Sequence, residues 1–275
     1  MPAPLTRHRF VLASILLTFC SPGLAAEPAK QPVKELILPG ESFLLKDHAA
    51  FILTPANDKE QTPRPWIFYA PTLRGLPDDS EKWMHEQFLA AGIAVAGIDV
   101  GESYGCPAGR ELFTALAKEM ERRGYSTKPC LLARSRGGLM ATSWACDHPE
   151  NVSGIAGIYP VFDFRSYPGL AKAAPAYELS SSEIESRAAE LNPIERVAIL
   201  AKAKIPVYLI HGDDDSVVPL AQNSAEFLNR YKAANAGDAI TLEVAKGQGH
   251  THWKGFFRCQ ALIDFAIARA RAGAK

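Results

Sequence analysis

A serine, an aspartate and a histidine stand out for where they fall: Ser135 after the apolar run PCLLA, Asp215 after IPVYLIHG, and His250 after AITLEVAKGQG. A serine hydroxyl is a poor nucleophile until a base takes its proton. An imidazole base in turn needs an acid to fix its tautomer and stabilise the imidazolium. These residue types suit acyl transfer, with Ser135 attacking, His250 moving the proton and Asp215 orienting the ring. Ser135 lies in Ala133-Arg134-Ser135-Arg136-Gly137, which departs from the pattern G-x-S-x-G by an alanine in the first slot. A strand that turns sharply into a helix needs small residues beside its exposed serine. Alanine meets that need, and Gly137 and Gly138 keep the packed side of the turn open.

Such groups need a scaffold that brings distant strand ends together. Short β-rich runs (WIFYA, IAVAGIDV, PCLLA, VSGIAGIYP, IPVYLIHG, AITLEVA) alternate with segments of helical spacing. Strand and helix in this rhythm predict a mostly parallel sheet covered on both faces, with functional groups at the carboxyl ends of its strands. Weaker strands over 33–38 and 49–53 are expected to form an antiparallel edge. Ser80 is expected to cap a helix carrying Trp83, Met84 and Phe88, and a helix over 110–123 places Leu112, Leu116 and Met120 on one side. Between 161 and 204 the alternation stops. Ser180 with Glu183, and Asn192-Pro193 with Glu195, fit helix starts, so 161–204 is expected to be a helical cap insertion within one domain spanning 27–275.

From about residue 50 onward the chain resembles the α/β-hydrolase superfamily, in its esterase, dienelactone hydrolase and prolyl-oligopeptidase-like branch. The resemblance rests on the elbow ARSRGG, the acid turn His211-Gly212-Asp213-Asp214-Asp215-Ser216-Val217-Val218-Pro219, which matches H-G-x-x-D-x-x-V-P, and the loop Gly247-Gln248-Gly249-His250. It implies an α/β-hydrolase fold and selects Asp215 over Asp213 and Asp214. It also implies an oxyanion hole from the backbone N–H of Arg136 and an N–H after WIFYA, with Leu73 the first candidate and Thr72 an equal one.

The remaining candidates surround these. Arg134 and Arg136 flank the nucleophile, where a guanidinium would favour developing negative charge or hold a substrate carboxylate; as structural ion pairs they would do neither. The elbow is locally similar to that of the glucuronoyl esterases, G-C-S-R-x-G, through Ser135, Arg136 and Gly138. There the resemblance implies that the arginine assists the oxyanion. Tyr104 and Trp253 are read as pocket-wall or substrate-binding residues. His252 is the competitor of His250 and is also read as wall, and His211 is expected to pack at its strand end.

The chain has 30 basic and 30 acidic residues and no basic run of the kind that tracks phosphates, which argues against nucleic acid. Arg7 and Arg9 precede the apolar run FVLASILLTFC and small residues up to Ala26. This reads as a signal peptide over 1–26, too short to span a bilayer, and predicts a secreted or periplasmic protein with no membrane segment after cleavage. Cys106, Cys130, Cys146 and Cys259 remain, with no pairing favoured; Cys130 and Cys146 read as buried thiols. No metal-ligand spacing or dinucleotide fingerprint appears, so no cofactor is expected. The reading is a serine carboxylic-ester hydrolase acting on a small-molecule or polysaccharide-linked ester, such as an acylated or uronate-ester carbohydrate. A prolyl-oligopeptidase-type peptidase is the second reading, ranked lower because 275 residues leave no room for an N-terminal propeller. A non-catalytic binding module is the third. The oligomeric state is left open.

Overall fold

The β-branched and aromatic runs form the strands. A computed structural model describes residues 1–2, 33–56 and 62–275, so the expected leader lies, but for its first two residues, outside the described residues. The described strands are β1 (Gly40–Leu45), β2 (His48–Leu53), β3 (Trp66–Ala70), β4 (Ala94–Ile98), β5 (Cys130–Arg134), β6 (Gly154–Ile158), β7 (Val207–Gly212) and β8 (Ile240–Ala245). They form one sheet in the order β1-β2-β4-β3-β5-β6-β7-β8. The β1–β2 and β2–β4 pairs are antiparallel and the others parallel.

The first strand is not at 33–38 as the sequence suggested. Lys46 and Asp47 adopt φ of 48° and 63°, a pair of left-handed residues that suits a two-residue hairpin turn. The turn folds Gly40–Leu45 onto β2. Leu36, Ile37 and Leu38 only pack at the margin of the core.

The helices are α1 (Asp79–Ala90), α2 (Pro107–Arg122), α3 (Gly137–Asp147), α4 (Leu170–Ala173), α5 (Ser181–Ser186), α6 (Ala188–Leu191), α7 (Pro193–Lys202), α8 (Ser224–Ala233), α9 (Lys254–Phe257) and α10 (Gln260–Gly273). Alternation along the strands divides the core into two layers. Trp66 and Phe68 of β3 and Leu131 and Ala133 of β5 join α2, α3, α7 and α8 on one face. Ile67 of β3 and Cys130 and Leu132 of β5 join α1, α9 and α10 on the other. Phe68 meets Phe113 and Trp144 at ring separations of 4.7 and 5.5 Å. Burial of side chains this large contributes about 1.5–3 kcal/mol each.

Three local expectations change. Asp78, not Ser80, caps α1, accepting from Ser80 N at 2.9 Å, while Glu81 Oε2 accepts from Asp78 N at 3.1 Å. Ser180 and Glu183 do form the expected reciprocal cap on α5. Asn192 precedes Pro193 at the start of α7 but makes no capping bond, because its side chain is taken by Asp163 Oδ1 at 2.7 Å and Phe164 N at 3.3 Å. Finally, α7 places Ile194, Val197 and Leu200 in the sheet core as the crossover between β6 and β7. Its residues thus serve the main body, and the excursion proper, built on Phe164, Ala173, Tyr177 and Ile184, has its own small core.

Candidate active site

Strand β5 ends at Arg134, and the chain turns at once into α3. Ser135 sits on that turn with φ 51°, a left-handed conformation that costs a non-glycine residue energy and holds its side chain away from the sheet. The turn is pinned by its backbone: Ser135 N donates to Ile158 O at 3.0 Å, and Ser135 O accepts from Gly138 N at 2.9 Å and Val161 N at 2.8 Å. A Cβ on Gly137 would run into the Ala70 carbonyl, and one on Gly138 into the Val161 carbonyl. Ala133, by contrast, is fully buried among apolar neighbours, so its methyl group has a place.

Ser135 Oγ lies 2.9 Å from His250 Nε2, and His250 Nδ1 lies 2.8 Å from Asp215 Oδ2. An ionised carboxylate can only accept, so the ring proton sits on Nδ1 and leaves Nε2 bare for the serine proton. Burial alone would raise the Asp215 carboxyl from its ordinary 3.8, but hydrogen bonds from His211, His250 and Val218 N outweigh it and hold the group well below that value. Val217 N and Val218 N both reach Oδ1, at 3.0 and 2.8 Å. His211 is buried at the end of β7 as expected. Its Nε2 donates to Val218 O at 2.8 Å, and its Nδ1 accepts from Ser224 Oγ at 2.8 Å. Asp213 is a turn acid beside Lys246, as expected.

These groups open on a cavity of about 260 Å³ whose lining includes Pro71, Leu76, Tyr159, Tyr167, Val217 and His252 besides Ser135 and His250. Both elbow arginines line it, and among its described lining residues none is acidic. A larger cavity of about 720 Å³, bordered by Lys46, Arg110 and His148, contains none of the three aligned side chains. Chemistry, not size, identifies the site.

The arginines have different fates. Alternation along β5 sends Arg134 to the α1 side, where Nη1 donates to Asp78 Oδ2 at 3.0 Å and Glu81 Oε2 at 2.8 Å. Nη2 donates to His252 Nε2 at 2.7 Å. This corrects the reading of Arg134 as a substrate-binding group, because its charge is already committed to two carboxylates. Burial pushes the Glu81 carboxyl up and Arg134 pulls it down, with a net rise. Arg136 turns to the cavity. Its Nη1 meets the Tyr167 hydroxyl at 3.2 Å, and half-exposed Glu102 stands 3.3 Å from Nε.

Two other wall assignments are also corrected. Trp253 is 43% exposed and packs edge-on against Phe256 at 5.2 Å, outside the lining. Tyr104 also stands outside the lining. Its carbonyl accepts from Tyr177 Oη at 2.9 Å, and burial, with Glu102 beside it, raises its hydroxyl to about 12. Leu73 is not part of the lining either; its carbonyl accepts from Lys34 Nζ at 2.7 Å and Leu76 N at 2.9 Å. The residues the sequence reading passed over are Tyr159, whose ring stands 4.3 Å from that of His250, and Tyr167 and Val217. Tyr159 follows the last residue of β6, so the strand-end rule could have found it. The four described cysteines are buried free thiols. Among the described residues no group of three His, Cys, Asp or Glu side chains could hold a metal ion, and no helix is long and apolar enough to cross a membrane.

Comparison with known proteins bears on the fold. The chain is similar to the dipeptidyl peptidase 4 of Porphyromonas gingivalis (17% identity, TM-score 0.64), covering 84% of this chain but 35% of that one. It is similar to Est1E from Butyrivibrio proteoclasticus (18% identity, TM-score 0.63), covering 84% and 98%. It is similar to an S-formylglutathione hydrolase from Agrobacterium tumefaciens (15% identity, TM-score 0.63), covering 84% and 94%. Thus the chain spans about a third of the peptidase and nearly all of the other two. No curated protein matches the sequence significantly. The fold is that of the α/β-hydrolases, and the protein is a serine hydrolase. Within that class the chain belongs to the prolyl oligopeptidase family, whose sequence model matches residues 113–265.

Proposed function

We propose that this serine hydrolase cleaves carboxylic esters, with Ser135, His250 and Asp215 as nucleophile, base and orienting acid. The observation that carries the reading is the hydrogen-bonded line from Ser135 Oγ through His250 to Asp215, opening on a cavity with arginines and no acid in its described lining. As Ser135 Oγ bonds to the acyl carbon, its proton passes to His250 Nε2. The oxyanion is received by the N–H of Arg136 and an N–H of the loop that follows β3. Collapse breaks the C–O bond and His250 protonates the departing alcohol. Water then attacks with His250 as base and frees Ser135.

The Arg136 guanidinium supports an ester whose acid or alcohol part carries negative charge, such as an acylated uronic acid. The basic start and apolar run at residues 7–20 support export, which suits a polymeric or polar substrate. A peptidase is the second reading, favoured by family membership. A free peptide amine, however, would need an unpaired carboxylate in the cavity. The test is steady-state kinetics of wild type and Ser135→Ala on p-nitrophenyl acetate, an acetylated neutral sugar, an acetylated uronic acid and aminoacyl p-nitroanilides. Ester turnover that vanishes in Ser135→Ala supports the proposal. Turnover of the anilides alone moves the assignment to peptide amides.

A further inference from the structure

The loop that carries His250 has little packing to hold it. Lys246, Gly247 and the residues from Thr251 to Lys254 are exposed, and those from Gln248 to His250 are only partly buried. Productive proton transfer demands one position of the base, so the ties on either side of it matter beside its own bond to Asp215. On the near side the loop is tied to the acid turn, with Asp213 Oδ1 accepting from Gly247 N at 2.7 Å and Gln248 O accepting from Asp214 N at 3.1 Å. On the far side the polar tie in the structure is His252, whose Nε2 accepts from Arg134 Nη2 at 2.7 Å.

Arg134 is suited to anchor it. Its side chain is 8% exposed and locked by Asp78 and Glu81 from the first turn of α1. The guanidinium lies 5.0 Å from the centre of the Phe257 ring of α9. Its charge also bears on Tyr159, the residue whose ring backs His250, pulling down a hydroxyl that burial pushes up to about 12. One guanidinium on the strand before the nucleophile thus joins the start of α1, the Phe257 ring of α9 and the loop that bears the base.

We propose that Arg134 and His252 are positioning residues that fix the His250 loop, and that the tie requires His252 with Nε2 unprotonated. This rests on the reading of Ser135 and His250 as nucleophile and base. Arginine can only donate, so His252 accepts at Nε2 and carries its proton on Nδ1. Protonation puts a second proton on the ring, removes the acceptor and sets two cations face to face. The charged and titratable groups around the tie are Arg134 from β5, Asp78 and Glu81 at the start of α1, and Tyr159 after β6, with Phe257 of α9 against the guanidinium and His250 two residues back on the same loop.

The test compares wild type with His252→Ala and His252→Gln, both of which leave the Arg134 ion pairs intact and change an exposed side chain. The readouts are kcat and KM on p-nitrophenyl acetate and the rate of Ser135 labelling by a fluorophosphonate. His252→Ala is expected to lower kcat and the labelling rate about tenfold with KM unchanged, because a small misplacement of the base is enough to cost that much. His252→Gln offers Oε1 to Arg134 and is expected to restore most of the rate. Glutamine does not titrate, so the ratio of wild-type to His252→Gln activity is expected to fall as pH is lowered. His252→Ala as fast as wild type, Gln and Ala equally impaired, or a loss confined to KM would each overturn the tie. Labelling that persists in Ser135→Ala would overturn the reading of the site and the tie with it.

Discussion

Arg134 and Ser135 are consecutive residues that face different neighbours: Arg134 is buried with Nη1 2.8 Å from Glu81 Oε2, while Ser135, at φ 51°, presents Oγ to His250 at 2.9 Å. The strand end thus separates a structural ion pair from the hydroxyl proposed as nucleophile within one peptide unit. The pair has a stability consequence. Arg134→Met would leave the Glu81 carboxylate buried and unpaired, which is expected to destabilise the protein by about 3–5 kcal/mol in urea unfolding. The double variant with Glu81→Gln should recover much of that loss, and a double variant no more stable than Arg134→Met would show that the pair is not the cause.

The elbow makes a contrasting pair of predictions. Gly137→Ala drives a methyl group into the Ala70 carbonyl, a backbone contact that cannot rotate away. It is expected to cost about 1–3 kcal/mol and to depress activity by shifting the Pro71 loop. Ala133→Gly loses one buried methyl group and some backbone rigidity, about 1 kcal/mol, and is expected to keep kcat. Equal activity in the two variants would contradict the packing account of this turn.

Much of this site was legible in the sequence, and the limits have physical causes. Ser135, Asp215 and His250 could be read because each follows a β-rich run, and the sheet brings those ends together. The same period-2 alternation that places Cys130 and Leu132 in the α1 layer also directs Arg134 there, beside the acids Asp78 and Glu81. Adjacency to the nucleophile suggested a substrate role instead. The β1–β2 turn was missed because Lys46 and Asp47 are not the glycine or asparagine that usually marks two left-handed residues. Tyr167 could not be placed, since it reaches the cavity from an excursion with no strand or long helix to set its direction.

Asp215 gives a pH prediction whose sign follows from its depressed pKa. A carboxylate held below its ordinary 3.8 stabilises the fold above the unfolded-state value. That contribution is lost as pH falls through the folded value, progressively below about pH 5. Wild type is therefore expected to lose stability relative to Asp215→Asn on acidification from pH 6 to pH 3, over a window that opens below about pH 5 and runs on towards the depressed folded value. Parallel pH–stability curves would contradict this. In activity, Asp215→Asn is expected to lower kcat by about four orders of magnitude, because the amide no longer fixes the His250 tautomer.

Arg136 should act on selectivity more than on folding, since its partners are the Tyr167 hydroxyl and half-exposed Glu102. Arg136→Gln keeps the backbone N–H and a polar side chain while removing the charge. It is expected to lower kcat/KM about tenfold or more for an acetylated uronic acid, the scale of a lost charge-assisted hydrogen bond, and much less for an acetylated neutral sugar. Equal losses on the two substrates would place the guanidinium's effect on the oxyanion common to both.

The central claim is that Ser135 is the nucleophile, and covalent capture tests it most directly. The folded protein would be treated with a fluorophosphonate and its adducts located by peptide mass spectrometry. A single adduct on Ser135 of wild type is expected, slowed in His250→Ala and absent in Ser135→Ala. A folded wild-type protein that forms no adduct, or forms it at another residue, would contradict it.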